Sequence, residues 1–313
     1  MASLNLSSLS KYTDQLSQPI IAEAVLRSRT MDLVTVLQGV KYKTQLNLMS
    51  QTLIGVASNC IGATTSGSTS LTAKDLTVCP ITVNESICID ELEQYWMGAK
   101  AKAGSSNTDA PDAFVEPFVK FKSDGISNMI EQILWAGNTN STGATGNAAL
   151  CNGYFQKLDN TSYSGSSVNV TKTAMTTSNA ISIMDNFIIP QIPTDIIADD
   201  KLVLFCGFDT FTTLATASRI ANNYIYNPAS NFNDRTFIMP YLNTNVMVVG
   251  LKYITGGKML LTPSWNLVAG TDLKDDADMF KLFYSERDDL IFFRSKFKVG
   301  AEIYFPQYVV YYR

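Results

Sequence analysis

The chain has 313 residues, of which 46% are hydrophobic and 17% are charged, and its formal net charge is −4. This length allows one large domain or two subdomains with a real core. The slightly negative charge gives no overall electrostatic reason to expect a polyanion as partner. The charged fraction is low for a free monomer. Buried surface between subunits is one explanation, because interface cores are depleted of charged residues.

The sequence contains no histidine. It therefore lacks the commonest general base, the usual zinc ligand and every Ser-His or Cys-His dyad. The five cysteines contain no C-x-x-C pair, which argues against a zinc site: Cys60, Cys79, Cys88, Cys151 and Cys206. Their odd number and spacing do not indicate a secreted disulfide framework. We predict free thiols in a reducing cytoplasm, with Cys60, Cys79 and Cys88 unpaired.

The N-terminal region, residues 1–40, begins polar and predicts an arm. Its first 18 residues have no basic start followed by an apolar core, so no signal peptide is expected. No run of about 18 apolar residues occurs anywhere, so no membrane span is expected. Residues Gln15 to Arg27 fit a short helix with four apolar residues inward: Leu16, Ile20, Ala24 and Val25. Such a helix buries little alone, so we expect it to dock on another surface, for instance a neighbouring subunit.

Residues Tyr42 to Glu91 differ from the N-terminal region in composition and in the pattern of their apolar residues. Two apolar runs, LNLMSQTLIGVAS and LTVCPITVNESICI, flank a centre rich in Gly, Ser and Thr, GATTSGSTSLTAKD. This pattern predicts a long β-hairpin or extended loop with a flexible middle. An isolated two-stranded ribbon is marginal in water, so this one needs an outside surface. A short helix is predicted over Glu91 to Lys102, followed by a linker, AGSSNTDAPD.

One long amphipathic helix is predicted from Pro117 to Gly137. At about 1.5 Å per residue it is roughly 30 Å long. Pro117 suits the first helical position, Gly137 suits a left-handed stop, and Gly125 suggests a close crossing. An ordinary core helix is the simpler interpretation. Apolar residues recur at steps of three and four and so share one face: Phe118, Phe121, Ile126, Met129, Ile130, Ile133 and Leu134.

Two shorter helices are predicted after this long one. The first runs from Thr177 to Ile189, with Ser178 as its cap and Pro190 as its stop. The second starts at a capping Asp209 and runs through Ile220.

The remaining elements of the second half are strands. A buried strand is predicted over Lys201 to Cys206, and more strands at 236–241, 245–250, 258–262, 266–269 and 280–284. The chain ends in two aromatic strands, LIFFRSKFKVGAEIYF and QYVVYY, with breaks at Gly300 and Pro306. The sequence therefore predicts an α+β protein without internal repeats.

Three short patterns could indicate chemistry, and each has a simpler interpretation. Ser8 to Lys11 matches S-x-x-K, but it lies in a polar N-terminal stretch. The sequence Gly256-Gly257-Lys258 lacks the earlier glycine and the following Ser or Thr of a phosphate loop, so a tight turn is expected. The acidic residues between Asp272 and Asp278 lack the glycine and glutamate of an EF-hand, so a solvated loop is expected. We predict no catalytic residue, no cofactor and no metal.

The order of elements resembles the major capsid proteins of tailed double-stranded DNA bacteriophages, the Hong Kong 97 type. Four stretches carry the resemblance. ISNMIEQILWAG (126–137) followed by GATGNAALCNGYF (143–155) is similar to the end of the family's spine helix and its glycine-marked loop. KLVLFCGFDTFTTLATA (201–217) resembles a strand and helix of the axial domain, and FKVGAEIYFPQYVVYY (297–312) resembles the closing strands. One departure is that no long, charged helical pro-segment precedes the arm.

The resemblance implies a Hong Kong 97 type capsid fold with five segments. These are an N-terminal arm (1–40), an extended β-hairpin loop with a short helix (41–104), a peripheral domain with the spine helix at 117–136 (105–160), an axial domain (161–285), and C-terminal strands that return to the peripheral domain (286–313).

The function implied is that of a shell protein, which forms pentamers and hexamers of an icosahedral capsid around packaged double-stranded DNA. Its partners would be other copies of itself, portal and scaffolding proteins, decoration proteins, and DNA held non-specifically. It would lie in the virion after assembly in the bacterial cytoplasm. An encapsulin-like shell is the structural alternative, and a β-rich hydrolase is the enzymatic one. The predicted subunit contacts are Leu53, Ile54, Val56, Ile61, Leu71, Ile81, Phe118 and Phe121.

Overall fold

The computed structural model describes residues 29–54, 67–88, 111–140, 146–160, 163, 167–221, 238–241, 244–272, 280–285 and 290–313. The helices predicted at Gln15 to Arg27 and at Glu91 to Lys102 lie outside these residues. The α-helices are α1 (Arg29–Leu33), α2 (Pro111–Ala136), α3 (Tyr154–Asp159), α4 (Ala180–Ile183) and α5 (Phe208–Ile220).

The strands of the described residues form two larger sheets and one hairpin. Their bounds are β1 (Thr35–Leu37), β2 (Lys43–Leu53), β3 (Gly67–Thr77), β4 (Cys79–Cys88), β5 (Val168–Val170), β6 (Leu202–Gly207), β7 (Ile238–Pro240), β8 (Met247–Leu251), β9 (Met259–Pro263), β10 (Leu267–Thr271), β11 (Phe280–Ser285), β12 (Leu290–Ile303) and β13 (Val310–Tyr312). The buried strand predicted at Lys201 to Cys206 is confirmed as β6, and the strands predicted near β7 to β11 are present.

A six-stranded sheet in the order β5-β13-β9-β6-β8-β7 separates two hydrophobic cores. Successive side chains of a strand point to opposite faces. In β6, Val203 and Phe205 therefore pack in a first core with α2 and α3, while Leu202 and Leu204 pack in a second core with α4 and α5. Every residue of β6 is buried, which explains the continuous apolar run from Leu202 to Cys206.

A second sheet is organised around the long strand β12. It pairs antiparallel with β4 along one edge, and with β11 and then β10 along the other. β1 pairs parallel with β10. Gly300 does not break this strand but pairs with Gly270 inside it. A Cβ on Gly300 would stand 2.3 Å from the carbonyl oxygen of Thr77, so glycine is required there by close backbone approach. The break predicted at Pro306 is present, as a 3₁₀ turn over Pro306–Tyr308.

Helix α2 differs from its predicted boundaries. It begins at Pro111, so Pro117 lies inside the helix and Pro111 takes the first position. Gly137 has no left-handed backbone. Instead, its missing Cβ lets it approach the carbonyl oxygen of Cys151, which such a Cβ would meet at 2.3 Å. Among the described residues, no atom outside the neighbouring turns of α2 lies within 4 Å of where a Cβ of Gly125 would be, so these residues make no close crossing there.

The apolar face predicted for α2 is confirmed in its second half. Ile126, Ile130, Ile133 and Leu134 are at most 4% exposed and pack in the first core. The side chain of Trp135 is also buried there, and its indole N–H donates to the Thr30 hydroxyl at 2.7 Å, which fastens α1 to α2.

The helix predicted at Thr177 to Ile189 is shorter and less regular. It starts at Ala180 after Asn179, whose amide oxygen accepts from the Thr176 backbone N–H, so Ser178 is not its N-cap. It widens into a π-helical turn at Met184–Ile188 and ends in a 3₁₀ turn.

The start of α5 also differs from its prediction. It follows Gly207 at the N-cap, and Asp209 lies in its first turn rather than at the cap. The acidic residue still suits this position, since the first turn of a helix favours negative charge.

A disulfide bond joins Cys79 to Cys151, with their Cα atoms 5.8 Å apart. The prediction that Cys79 is unpaired is therefore wrong. β4 begins at Cys79, and the connection after α2 carries Cys151 to the same point beside β12. Residues so far apart in sequence meet only through tertiary packing. Cys206 is a free, buried thiol. Cys60 lies outside the described residues, and so does the side chain of Cys88.

The sheets do not follow the predicted domain boundaries. β10 and β11, from the predicted axial range, pair with β12, whereas β13, from the predicted closing range, pairs with β5 and β9 in the other sheet. The division into five segments remains a prediction.

Candidate subunit interface

The hairpin formed by β2 and β3 has an apolar base that packs on the body. Its ladder runs from Lys43 opposite Thr77 to Leu53 opposite Gly67. Leu46 and Leu76 pack in a small core with Val268 of β10 and are at most 6% exposed. The missing Cβ of Gly270 makes room for Leu76, because a Cβ there would lie 2.8 Å from the leucine side chain.

The predicted boundaries of the hairpin were partly wrong. Its second strand is built from the Gly/Ser/Thr-rich segment that was predicted to be a flexible centre, and β4 leaves the hairpin to pair with β12. Hydroxyl residues fit a pleated, half-exposed surface, where they pair across strands. Ser50 and Ser70 do so, with their oxygens 2.6 Å apart.

The distal half of the hairpin exposes apolar side chains on the opposite face from the base. Alternation along each strand places Met49, Leu53 and Leu71 together on this face, and they are 66%, 79% and 77% exposed. We call these three residues the distal strip. No residue of 48–54 or 67–73 is charged. An exposed apolar strip without charge is the composition of an interface core.

The predicted contact residues divide into three groups. Leu53, Leu71 and Ile54 are exposed on the hairpin, as a contact residue must be in a free subunit. Ile81 is 3% exposed and packs in the first core of its own subunit, so we remove it from the proposed contacts. The remaining four cannot be placed: Val56 and Ile61 lie outside the described residues, and so do the side chains of Phe118 and Phe121 in α2.

Sequence reasoning missed Lys74, which was assigned to the flexible centre. Its ammonium donates to the carbonyl oxygens of Ile303 and Tyr304 at the end of β12. Burial lowers the pKa of Lys74, and the nearby Glu302 carboxylate opposes that shift. No local sequence signal marks this residue, because its partners lie about 230 positions away.

The exposed face of the hairpin base is polar. Lys43 and Asp75 form an ion pair of 2.7 Å there, and both side chains are about half exposed. Exposed pairs of this kind add little stability. They do mark this part of the hairpin as a solvated surface, in contrast to the distal strip on the same face.

The described residues offer little that resembles a reaction centre. They contain no group of three or more Cys, Asp or Glu side chains that could hold a metal ion. Burial raises the pKa of the Cys206 thiol to about 12, so it stays protonated and is a poor nucleophile near neutral pH. A cavity of about 210 Å³ beside Trp135 and Tyr253 includes Asp159 and Lys258, but these two form an ion pair of 3.5 Å. No helix in the described part of the chain is long and apolar enough to cross a membrane.

Comparison of the sequence finds no match among protein-family models or among curated proteins. Comparison of the structure finds many solved structures with the same fold. A chain of the satellite phage P4 procapsid aligns with a TM-score of 0.57 and 14% identity, over 98% of this chain and 97% of that one. A chain of the capsid of an empty GTA particle aligns with a TM-score of 0.55 and 10% identity, over 92% and 89% of the two chains.

A third neighbour, a virus-like particle from Pyrococcus furiosus, aligns with a TM-score of 0.52 and 8% identity, over 96% of this chain and 98% of that one. Identities this low establish architecture and not function. The near-complete coverage of both chains agrees with the architecture described above, which has a projecting hairpin, the long helix α2 and two sheets. The chain has the capsid-protein fold of the Hong Kong 97 type, as the order of its elements predicted.

Proposed function

We propose that this chain is a major capsid protein whose work is self-association into a closed shell. The observation that carries the proposal is the distal strip, three large apolar side chains exposed on a hairpin that projects from a body with this fold. Full burial of one such side chain is worth about 1.5–3 kcal/mol. That gain is available to the strip only when another surface covers it.

The partner that best fits the strip is a second copy of the same chain. Neighbours of this fold occur in capsids and in a virus-like particle. A hairpin that lies across the next subunit makes a heterologous, head-to-tail contact, and such contacts close into rings of five or six. We propose that these rings are the pentamers and hexamers of an icosahedral shell, with α2 of the neighbour beneath the hairpin.

The proposed cargo is double-stranded DNA, held without sequence specificity inside a phage particle. Portal, scaffolding and decoration proteins would be the further partners, and assembly would take place in the bacterial cytoplasm. A second candidate is a cellular shell without DNA, which the likeness to the Pyrococcus particle supports. An enzymatic role has no such support, since the neighbours are structural shell proteins.

Electron microscopy of the purified protein tests the proposal. We expect closed particles, or rings of five and six subunits, in a concentration-dependent equilibrium with free subunits. A protein that stays monomeric at high concentration under all salt and crowding conditions would contradict it. Particles recovered from the native host distinguish the two candidates, because nuclease-protected double-stranded DNA inside them indicates a phage capsid, and its absence from intact particles indicates a cellular shell.

A further inference from the structure

The base of the hairpin is fixed to the body by a charged side chain as well as by apolar contacts. Lys74 lies opposite Leu46 in the ladder, on the face that packs on the body. Its ammonium donates hydrogen bonds to the carbonyl oxygens of Ile303, at 3.1 Å, and Tyr304, at 2.8 Å. Hydrogen bonds are directional, so two from one ammonium define both the position and the direction of the side chain.

The contacts of Lys74 continue into a partly buried polar cluster. Its nitrogen lies 4.7 Å from the centre of the Tyr163 ring, and the Tyr163 hydroxyl donates to Glu302 at 2.6 Å. Glu302 also forms an ion pair with Lys157 and is only 2% exposed. Because these groups are bonded to one another around the buried Glu302, Lys74 contacts a part of the body that is itself held by several interactions.

A small rotation at this point is amplified along the hairpin. Lys74 and Gly67, the first residue of β3, are separated by roughly 24 Å of extended strand. A rotation of about 5° at the base therefore moves Gly67 by about 2 Å. The apolar packing of Leu46 and Leu76 is not directional, so it holds the base on the body without fixing the angle.

We propose that Lys74 is a positioning residue, whose hydrogen bonds to the end of β12 set the angle at which the hairpin leaves the subunit. The distal strip is thereby held where a second copy of the chain can cover it. This last step rests on the proposed function, whereas the angle is a property of the single subunit.

Three variants separate positioning from stability. Lys74→Met keeps an unbranched apolar side chain but removes the donors, and Lys74→Arg keeps a charged donor that can reach both carbonyl oxygens. Lys43→Met is the matched control, because Lys43 lies at the same end of the hairpin on its solvated face. The unfolding temperature of each variant is measured alongside, and Lys43→Met gives the change that follows from loss of a lysine at this end of the hairpin.

The angle is measured in dissociated subunits by pulsed electron paramagnetic resonance. Spin labels are attached to cysteines introduced at the exposed positions Ser68 and Asn186, in a background with Cys60 and Cys88 replaced by serine. We expect one narrow distance distribution for the reference, Lys43→Met and Lys74→Arg, and a broadened distribution or one shifted by at least about 2 Å for Lys74→Met. An unchanged narrow distribution in Lys74→Met would overturn the proposal.

Particle diameters measured by electron microscopy test the link to assembly. Lys74→Met is expected to give a several-fold lower yield of closed particles or a mixture of diameters, and Lys74→Arg to restore the uniform population. If no variant assembles, the reference included, the proposed function fails while the distance measurement still decides the role of Lys74. If Lys74→Met broadens the distances yet assembles as the reference does, the angle does not govern assembly and that part of the proposal is wrong.

Discussion

Met49 and Leu71 lie directly opposite each other in the β2–β3 ladder, and their side chains are 66% and 77% exposed. Three and five positions closer to the base, Leu46 and Leu76 are buried on the other face of the same ribbon. The hairpin is therefore apolar on one face where it joins its own subunit, and apolar on the other face where it projects.

This reversal predicts that the two faces of the distal hairpin respond differently to substitution. The double variant Met49→Ser/Leu71→Ser removes apolar area that is solvated in the free subunit, so its unfolding free energy should change by no more than about 0.5 kcal/mol. Assembly should weaken by about 3 kcal/mol or more per contact, which raises the concentration needed for particles at least 100-fold. Light scattering and chemical unfolding measure the two effects.

The matched control for that variant is Ser50→Ala/Ser70→Ala, a directly opposed pair on the other face. It should assemble at nearly the concentration of the unmodified protein. Equal loss of assembly in both double variants would show that the distal strip is not the contacting face.

The Cys79–Cys151 disulfide closes a loop of 72 residues. A crosslink that closes a loop of this length restricts the unfolded chain and is worth roughly 4 kcal/mol. Cys151→Ser should therefore lower the thermal unfolding temperature of the oxidised subunit, and reductant should produce a similar decrease in the unmodified protein. Calorimetry with and without reductant checks this. A decrease with reductant in the Cys151→Ser variant as well would point to a different cause.

Helix α2 contributes to stability through the face that it buries. Ile130 is fully buried in the first core, so Ile130→Ala should destabilise the subunit by about 2–5 kcal/mol. Ile220 at the end of α5 is 67% exposed, and Ile220→Ala should have an effect within about 0.5 kcal/mol. Urea unfolding of dissociated subunits provides the comparison. Similar losses in both variants would mean that α2 is not packed as described.

Two glycines should respond to alanine with opposite signs. Gly125 lies inside α2 with open space at its Cβ position, so Gly125→Ala should stabilise the subunit by up to about 1 kcal/mol. In Gly300→Ala, the new Cβ would meet the Thr77 carbonyl oxygen and the Val78 backbone, neither of which can move without displacing the base of the hairpin. This variant should be destabilised. Thermal unfolding of the two variants, Gly125→Ala and Gly300→Ala, measures these changes in stability. Equal effects would contradict the described packing of β12 against the hairpin.

Glu131 predicts a pH-dependent difference in stability. It is 7% exposed, and its Oε1 has no hydrogen-bond partner among the residues that the structure describes. Burial raises its pKa above the ordinary value of 4.5, opposed by the charges of Arg29 and Lys252 and by a hydrogen bond from the Lys252 backbone N–H. The folded state thus binds a proton more tightly than the unfolded state, and the stability contributed by this group is present below pH 4.5 and lost as pH rises through the folded pKa.

The variant Glu131→Gln isolates this effect, since glutamine cannot ionise but still accepts the bond from Lys252. Its stability relative to the unmodified protein should increase as pH rises from about 4.5 towards neutrality. Urea unfolding at several pH values measures the difference, and Glu85→Gln, on a partly exposed side chain, serves as the control. A difference that stays constant with pH would rule out the raised pKa.

Local patterns in the sequence determined most of the individual elements. The buried strand β6, the apolar face of α2 and the strands near β8 to β11 follow from periodicity, because a strand or helix face requires a fixed spacing of apolar residues. The missing histidine excludes every Ser-His or Cys-His dyad. The order of these elements also indicated the capsid fold.

Only the tertiary structure decided which segments meet. The Gly/Ser/Thr-rich segment forms β3 because it pairs with β2. β4 pairs with β12 and is not part of the hairpin. Three contacts join residues more than 70 positions apart in the sequence: Cys79 with Cys151, Lys74 with Tyr304, and Gly300 with Thr77. A local pattern reports the face that one element buries and not the element that covers it, since the identity of the covering element depends on the path of the whole chain.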